Sequence, residues 1–123
     1  MEYLDLEKIS AYKIAFELSD YIWKIVLKWD FLAKDTIGKQ FIRAIDSISA
    51  NIAEGFGRYF KKDKIHFYRI ARGSVYESLD WLEKAKKRNL LTAEQYEKIL
   101  ESLSRLPKEM NHLINYTDKK LTI

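Results

Sequence analysis

The stretch SAYKIAFELSDYIWKIVLKW, residues 10–29, decides the fold class. Ala11, Ala15, Leu18, Ile22, Val26 and Trp29 recur every three or four residues, the period of an α-helix. The stretch predicts an amphipathic helix over about 10–29, yet it carries more apolar surface than one core-facing stripe can use. Tyr12, Phe16, Trp23 and Leu27 fall on a separate arc, and Ile14 and Tyr21 flank the core stripe on its other side. Only Lys13, Glu17, Asp20, Lys24 and Lys28 make a fully polar face, and it is narrow. Tyr12, Phe16, Trp23 and Leu27 are therefore expected to form an oligomer interface, most simply with another copy of the chain. The competing reading is that broad rings wrap the core edge and keep their polar tips in water.

Three more segments repeat the period. Ile37, Phe41, Ile45, Ile48 and Ile52 predict a helix over about 36–55, with Asp35 or Thr36 as N-cap and an end at Gly55-Phe56-Gly57. Tyr68, Ala71, Val75, Leu79, Leu82 and Ala85 predict one over about 62–88, with Asn89 suited to its C-terminal cap. Tyr96, Ile99, Leu103, Leu106, Met110 and Leu113 predict one over about 93–118, opened by a Thr92/Gln95 capping box. Pro107 falls inside this last segment, but the apolar phase runs on past it, which predicts a kink and not an end. Short connections force antiparallel neighbours. The expected fold is an all-α, antiparallel up-down-up-down four-helix bundle, one domain over residues 1–123.

Composition agrees and narrows the function. The chain of 123 residues is 47% hydrophobic, with four Gly, one Pro and no Cys. That argues against disorder, against β-rich folds, and against disulfide, Cys-zinc or thiol chemistry. The acidic start Met1-Glu2-Tyr3-Leu4-Asp5 is unlike a signal peptide, and no apolar run reaches membrane-spanning length, so a cytoplasmic protein with no membrane partner is expected. The net charge of +4 is mild but uneven. Residues 1–60 hold 8 basic and 9 acidic side chains, and residues 61–123 hold 14 and 9.

Two constellations stand out. Gln40, Arg43, Ser47, Asn51 and Glu54, with Arg58 just beyond, share one face of the second helix. Ser, Asn and Arg there suit directed hydrogen bonding better than a solvated face, which would favour Lys–Glu pairs. The stripe reads either as a satisfied network between helices or subunits, or as an interface for a partner or ligand. Gly73 in mid-helix costs about 1 kcal/mol against alanine, so something is expected to pack tightly at Gly73-Ser74. The second constellation is basic: Arg58, Lys61, Lys62, Lys64, Arg69 and Arg72, with Asp63 the one acid and with Tyr59, Phe60, His66, Phe67 and Tyr68 interleaved. Cations at a helix N-terminus have no macrodipole rationale, unlike Lys84, Lys86, Lys87 and Arg88 at the following C-terminus. Exposed N–H groups beside clustered cations suit phosphate, which makes RNA or DNA a candidate partner. The blander reading is a solvated face.

The run from Arg43 to Arg58, with Asn51-Ile52-Ala53-Glu54-Gly55 at its centre, resembles the signature of the bacterial four-helix bundle proteins also called 23S rRNA-intervening sequence proteins. Ile70-Ala71-Arg72-Gly73-Ser74-Val75-Tyr76-Glu77 is similar to that family's second block, and the likeness covers roughly residues 12–118. Phe41 departs from it, standing where an aliphatic residue is usual. The resemblance implies a homopentamer without enzymatic activity or cofactor. It also implies a link to accessory proteins of diversity-generating retroelements, which bind nucleic acid and a reverse transcriptase. A protein–protein adaptor without nucleic-acid binding is the alternative. A di-metal carboxylate bundle is a remote one, resting on Asp63-x-x-His66 and Glu109-x-x-His112. Lys64 and Arg69 surround His66 and would repel a cation, so no metal and no catalytic residue is assigned.

Overall fold

In the computed structural model, which describes residues 5–123, every long element is helical. The elements are α1 (Ser10–Val26), a single turn α2 (Phe31–Ala33), α3 (Lys39–Gly57), α4 (Lys61–Lys87) and α5 (Ala93–Lys120), with no strand among the described residues. A short 3₁₀ turn, Leu6–Lys8, precedes α1. The acidic start at Met1, Glu2, Tyr3 and Leu4 lies outside the described residues.

Each long helix packs on the next, and α5 closes on α1. Contacts fix the directions. Ser47 meets Ser74 and Gly55 meets Tyr68, so α3 and α4 run oppositely. The start of α4 holds Ile123, just past the end of α5, through Lys61 N–H to Ile123 O at 2.6 Å. The expected stripes form the core: Ala15, Ile22, Phe41, Ile48, Tyr68, Val75, Leu82, Leu103 and Met110 are all but sealed from solvent. Phe41 is completely enclosed, so its ring supplies core volume.

Two boundaries differ from the sequence expectation. The first helix ends at Val26, not Trp29, and the second begins at Phe31, not Thr36. Asp30 is the true cap: its carboxylate accepts from Ala33 N–H at 2.9 Å, an interaction worth about 1 kcal/mol. Trp29 leaves the helix because its indole N–H donates to Leu90 O at 3.0 Å, tying this turn to the turn between α4 and α5. Asp35 and Thr36 lie inside a five-residue π-helical stretch, Lys34–Gly38, that joins α2 to α3. The inserted residue turns both Ile37 and Gly38 into the core. At Gly38 a β-carbon would stand 2.8 Å from Val26 Cγ1, so glycine permits the close approach of α1.

The glycines at the end of α3 also act differently from the expectation. Neither Gly55 nor Gly57 has positive φ, and the helix runs through Gly57. Gly55 serves packing: a β-carbon there would lie 2.7 Å from Tyr68 Cε1 and 2.9 Å from Lys64 O. The remaining caps follow the sequence. Asn89 takes the left-handed conformation (φ 59°), with Leu90 N–H on Ala85 O and Asn89 N–H on Lys86 O, the Schellman pattern. Thr92 and Gln95 form both bonds of the capping box, and α5 continues through Pro107 to Lys120.

Candidate functional site

The flank of α1 that borders α3 is the first candidate surface. Phe16 is 56% and Trp23 49% exposed, Leu27 is exposed beside them, and Tyr12 is half-buried with its ring stacked on Phe16 at 5.8 Å. Tyr12 alone follows the edge-wrapping alternative. The other three hold apolar surface in water because their positions lie a quarter-turn off the Ala15–Ile22 stripe. Phe16, Glu17, Ser19, Asp20 and Trp23 line a shallow groove with Asp46 of α3. Partial burial there pushes the Asp46 carboxyl above the ordinary aspartate value. Asp20 is paired with Lys24 at 3.1 Å, whereas Glu17 and Asp46 have no ion-pair partner among the described residues.

The polar stripe of α3 divides into a half-buried, hydrogen-bonded middle and looser ends. Asn51 Nδ2 donates to Ser47 O at 2.8 Å and to Ser47 Oγ at 2.9 Å. Ser47 Oγ and Ser74 Oγ are 2.8 Å apart, and Ser74 Oγ also reaches Ile70 O at 3.3 Å. One direction satisfies every proton: Asn51 to Ser47, Ser47 to Ser74, Ser74 to Ile70. Ser78 Oγ adds a bond to Ser74 O at 2.8 Å. Ser47 and Asn51 therefore act as a seam between α3 and α4, at about 1 kcal/mol net per bond. Arg43 and Glu54 remain exposed; Arg43 reaches Gln40 Oε1 only at 3.5 Å, and Glu54 pairs with Arg58 at 2.9 Å.

At Gly73 the expectation of tight packing fails within the subunit. A β-carbon on Gly73 would meet nothing within 4 Å, and it is Ser74 that turns inward.

The six basic residues are not one patch. Lys64 is buried, its ammonium donates to Phe56 O at 2.6 Å, and burial lowers its pKa from the usual lysine value. Lys64 ties off a carbonyl at the end of α3. Lys61 Nζ donates to Asp118 O at 3.0 Å and Leu121 O at 3.2 Å, which ties off the end of α5. Arg58 lies over the Phe67 ring at 4.7 Å, and Arg72 donates to Asn111 Oδ1 at 2.7 Å. Lys62 and Arg69 are exposed and have no partner among the described residues. Exposed Tyr59 and Phe60, edge to face at 5.0 Å, stand beside them in sequence at the mouth of α4. The period already carried a signal for Lys64, which is in phase with Tyr68, Ala71 and Val75. Nothing in the sequence marked Asp46 or the exposure of Ile70 and Tyr76.

His66 and His112 are both exposed, and no three metal-ligating side chains converge among the described residues. No helix among them is long and apolar enough to cross a membrane.

These features agree with what the chain is similar to. Residues 7–112 match the family described as 23S rRNA-intervening sequence protein. The chain belongs to this family. A solved structure, a protein of unknown function from the S23 ribosomal protein family of Bacteroides thetaiotaomicron, superposes with a TM-score of 0.75 at 27% identity. That match covers 85% of this chain and 97% of the other. No curated protein matches the chain. The family match spans the α1 flank, the α3–α4 seam and the basic start of α4 alike.

Proposed function

We propose that this family member is a non-enzymatic, self-associating helical scaffold that presents a repeated cationic, aromatic surface to nucleic acid. The exposed α1 flank carries the reading. Phe16, Trp23 and Leu27 hold large apolar side chains in solvent along one flank of α1, and burial of such surface drives association. The fold has no use for them: the core is complete with Ala15, Leu18, Ile22 and Val26 from the same helix. Five copies, the number the family resemblance implies, have a mass near 73 kDa, five times 14.6 kDa. Light scattering tests this, and a 14.6 kDa species at micromolar concentration refutes it.

The nucleic-acid half of the reading rests on Lys62 and Arg69, with Arg58 and Arg72 beside them and with Tyr59 and Phe60 as stacking platforms. Two free cations per subunit make a weak site, and repetition over an assembly multiplies it. Retention of labelled RNA and DNA is expected to fall steeply with salt. It is also expected to be lost in the double variant Lys62→Glu/Arg69→Glu. Salt-independent or absent retention at micromolar protein refutes this half and leaves an adaptor that meets protein partners only.

A further inference from the structure

Gly73 is a glycine that its own subunit does not need. It lies in the middle of α4, where glycine costs about 1 kcal/mol against alanine, and a β-carbon there would enter open space. Ile70 (40% exposed) and Tyr76 (59% exposed) stand on either side of it, so the bare backbone forms a notch walled by apolar side chains. A notch of this kind is explained by something outside the subunit that approaches the helix backbone closely.

We propose that the notch at Gly73 receives the α1 flank of a second copy, with Phe16 seated over it. The contact is head-to-tail, since the two patches lie on different helices of one subunit. This deepens the self-association reading above and rests on it. Three observations select this occupant. First, the patches are chemically alike: aromatic and aliphatic surface without a cover in the subunit, on two helices that barely touch each other. Second, they are level. Val26 against Gly38 and the groove shared by Ser19 and Asp46 set the register of α1 on α3. Ser47 on Ser74 sets α3 on α4. Carried across, these registers put Phe16 and Gly73 at about the same height along the bundle. Copies arranged side by side with parallel axes then bring the two together without a shift. Third, the flanks are complementary in charge: Glu17 and Asp46 beside Phe16 have no ion-pair partner among the described residues, and Arg72, next to Gly73, is held by the neutral Asn111 and by no carboxylate. A head-to-tail contact leaves one donor and one acceptor patch open on every pair, so it builds rings or filaments and not closed dimers.

The chain has no cysteine, which makes trapping clean. Phe16→Cys and Gly73→Cys chains are prepared separately, mixed and oxidised. A disulfide needs Cα atoms within about 7 Å. The mixed species near 29 kDa, twice 14.6 kDa, is expected to dominate, and a chain carrying both cysteines is expected to give a ladder beyond the dimer. Random proportions of mixed and like-with-like disulfides overturn the proposal. Gly73→Gln gives an independent check, since it fills the notch with a better helix former and has room to fold. Its scattering mass is expected to fall toward 14.6 kDa while its circular dichroism stays helical, whereas Ser104→Gln on exposed α5 surface keeps the wild-type mass. If wild type is oligomeric and Gly73→Gln keeps its mass, the docking site is wrong and self-association stands. If wild type is itself monomeric, self-association fails and the docking site with it.

Discussion

Replacing Gly55 by alanine isolates the packing of α3 on α4, because the same change at Gly73 meets opposite surroundings. Alanine in place of a mid-helix glycine contributes about 1 kcal/mol of stability where nothing obstructs it. At Gly55 the new methyl would lie 2.7 Å and 2.9 Å from two carbons of the Tyr68 ring and 2.9 Å from Lys64 O. Tyr68 is fully buried and Lys64 O is backbone, so neither can step aside without displacing α4. Overpacking of a close-packed core costs about 1–3 kcal/mol. The clash reaches both a ring and a carbonyl, which places it in the upper part of that range. Gly55→Ala is expected to be destabilised by about 1–2 kcal/mol net, a fall in Tm of roughly 4–8 °C for a chain of this size. Gly73→Ala is expected to gain up to about 1 kcal/mol in the isolated subunit. Urea denaturation with unchanged m-values, repeated over a range of protein concentrations to separate folding from assembly, reads both changes. A Gly55→Ala protein as stable as wild type, or more so, refutes the reasoning.

Lys64→Met keeps the apolar stem and removes the ammonium, so Phe56 O loses its donor; a loss of about 1–3 kcal/mol is expected in the urea midpoint, against no change for Lys62→Met on the surface. Asp46 has a folded pKa above its unfolded value, so the native state binds more protons through that window and stability falls as pH rises through it. Asp46→Asn is therefore expected to melt slightly above wild type at pH 7, by a few tenths of a kcal/mol after solvent screening, and level with it at pH 3; a gain that persists at pH 3 contradicts the assignment. The Tyr96 phenol donates to Glu83 at 2.5 Å, and that bond, with some burial and the charges of Glu83 and Glu97, pushes its pKa up to about 12. Absorbance titration is expected to show a late-ionising tyrosine that returns toward 10 in Glu83→Gln, and Tyr96's contribution to stability is lost as pH rises from about 10 through 12.

The sequence by itself determined the helices and the core. Period 3.6 places Ala15, Ile22, Ile48, Val75 and Leu103 inward, and local capping chemistry at Thr92 with Gln95 and at Asn89 sets two helix ends, because both depend only on residues a few positions apart. It also showed that α1 carries a second apolar face. What it could not show depends on residues far apart in the chain. Trp29 sits outside the first helix with its indole on Leu90 O, 61 residues away, a contact no local pattern announces. Gly55 reads as a helix stop until Tyr68 is seen against it, and Gly73 reads as a packing site until it is seen facing open space. The basic run looks like one patch along the chain. Tertiary structure divided it, since the carbonyls of Phe56, Asp118 and Leu121 at the ends of α3 and α5 claim Lys64 and Lys61 and leave Lys62 and Arg69 to the solvent. A helix end exposes carbonyls that need donors, and which cation supplies them is settled only when two helix ends are brought side by side.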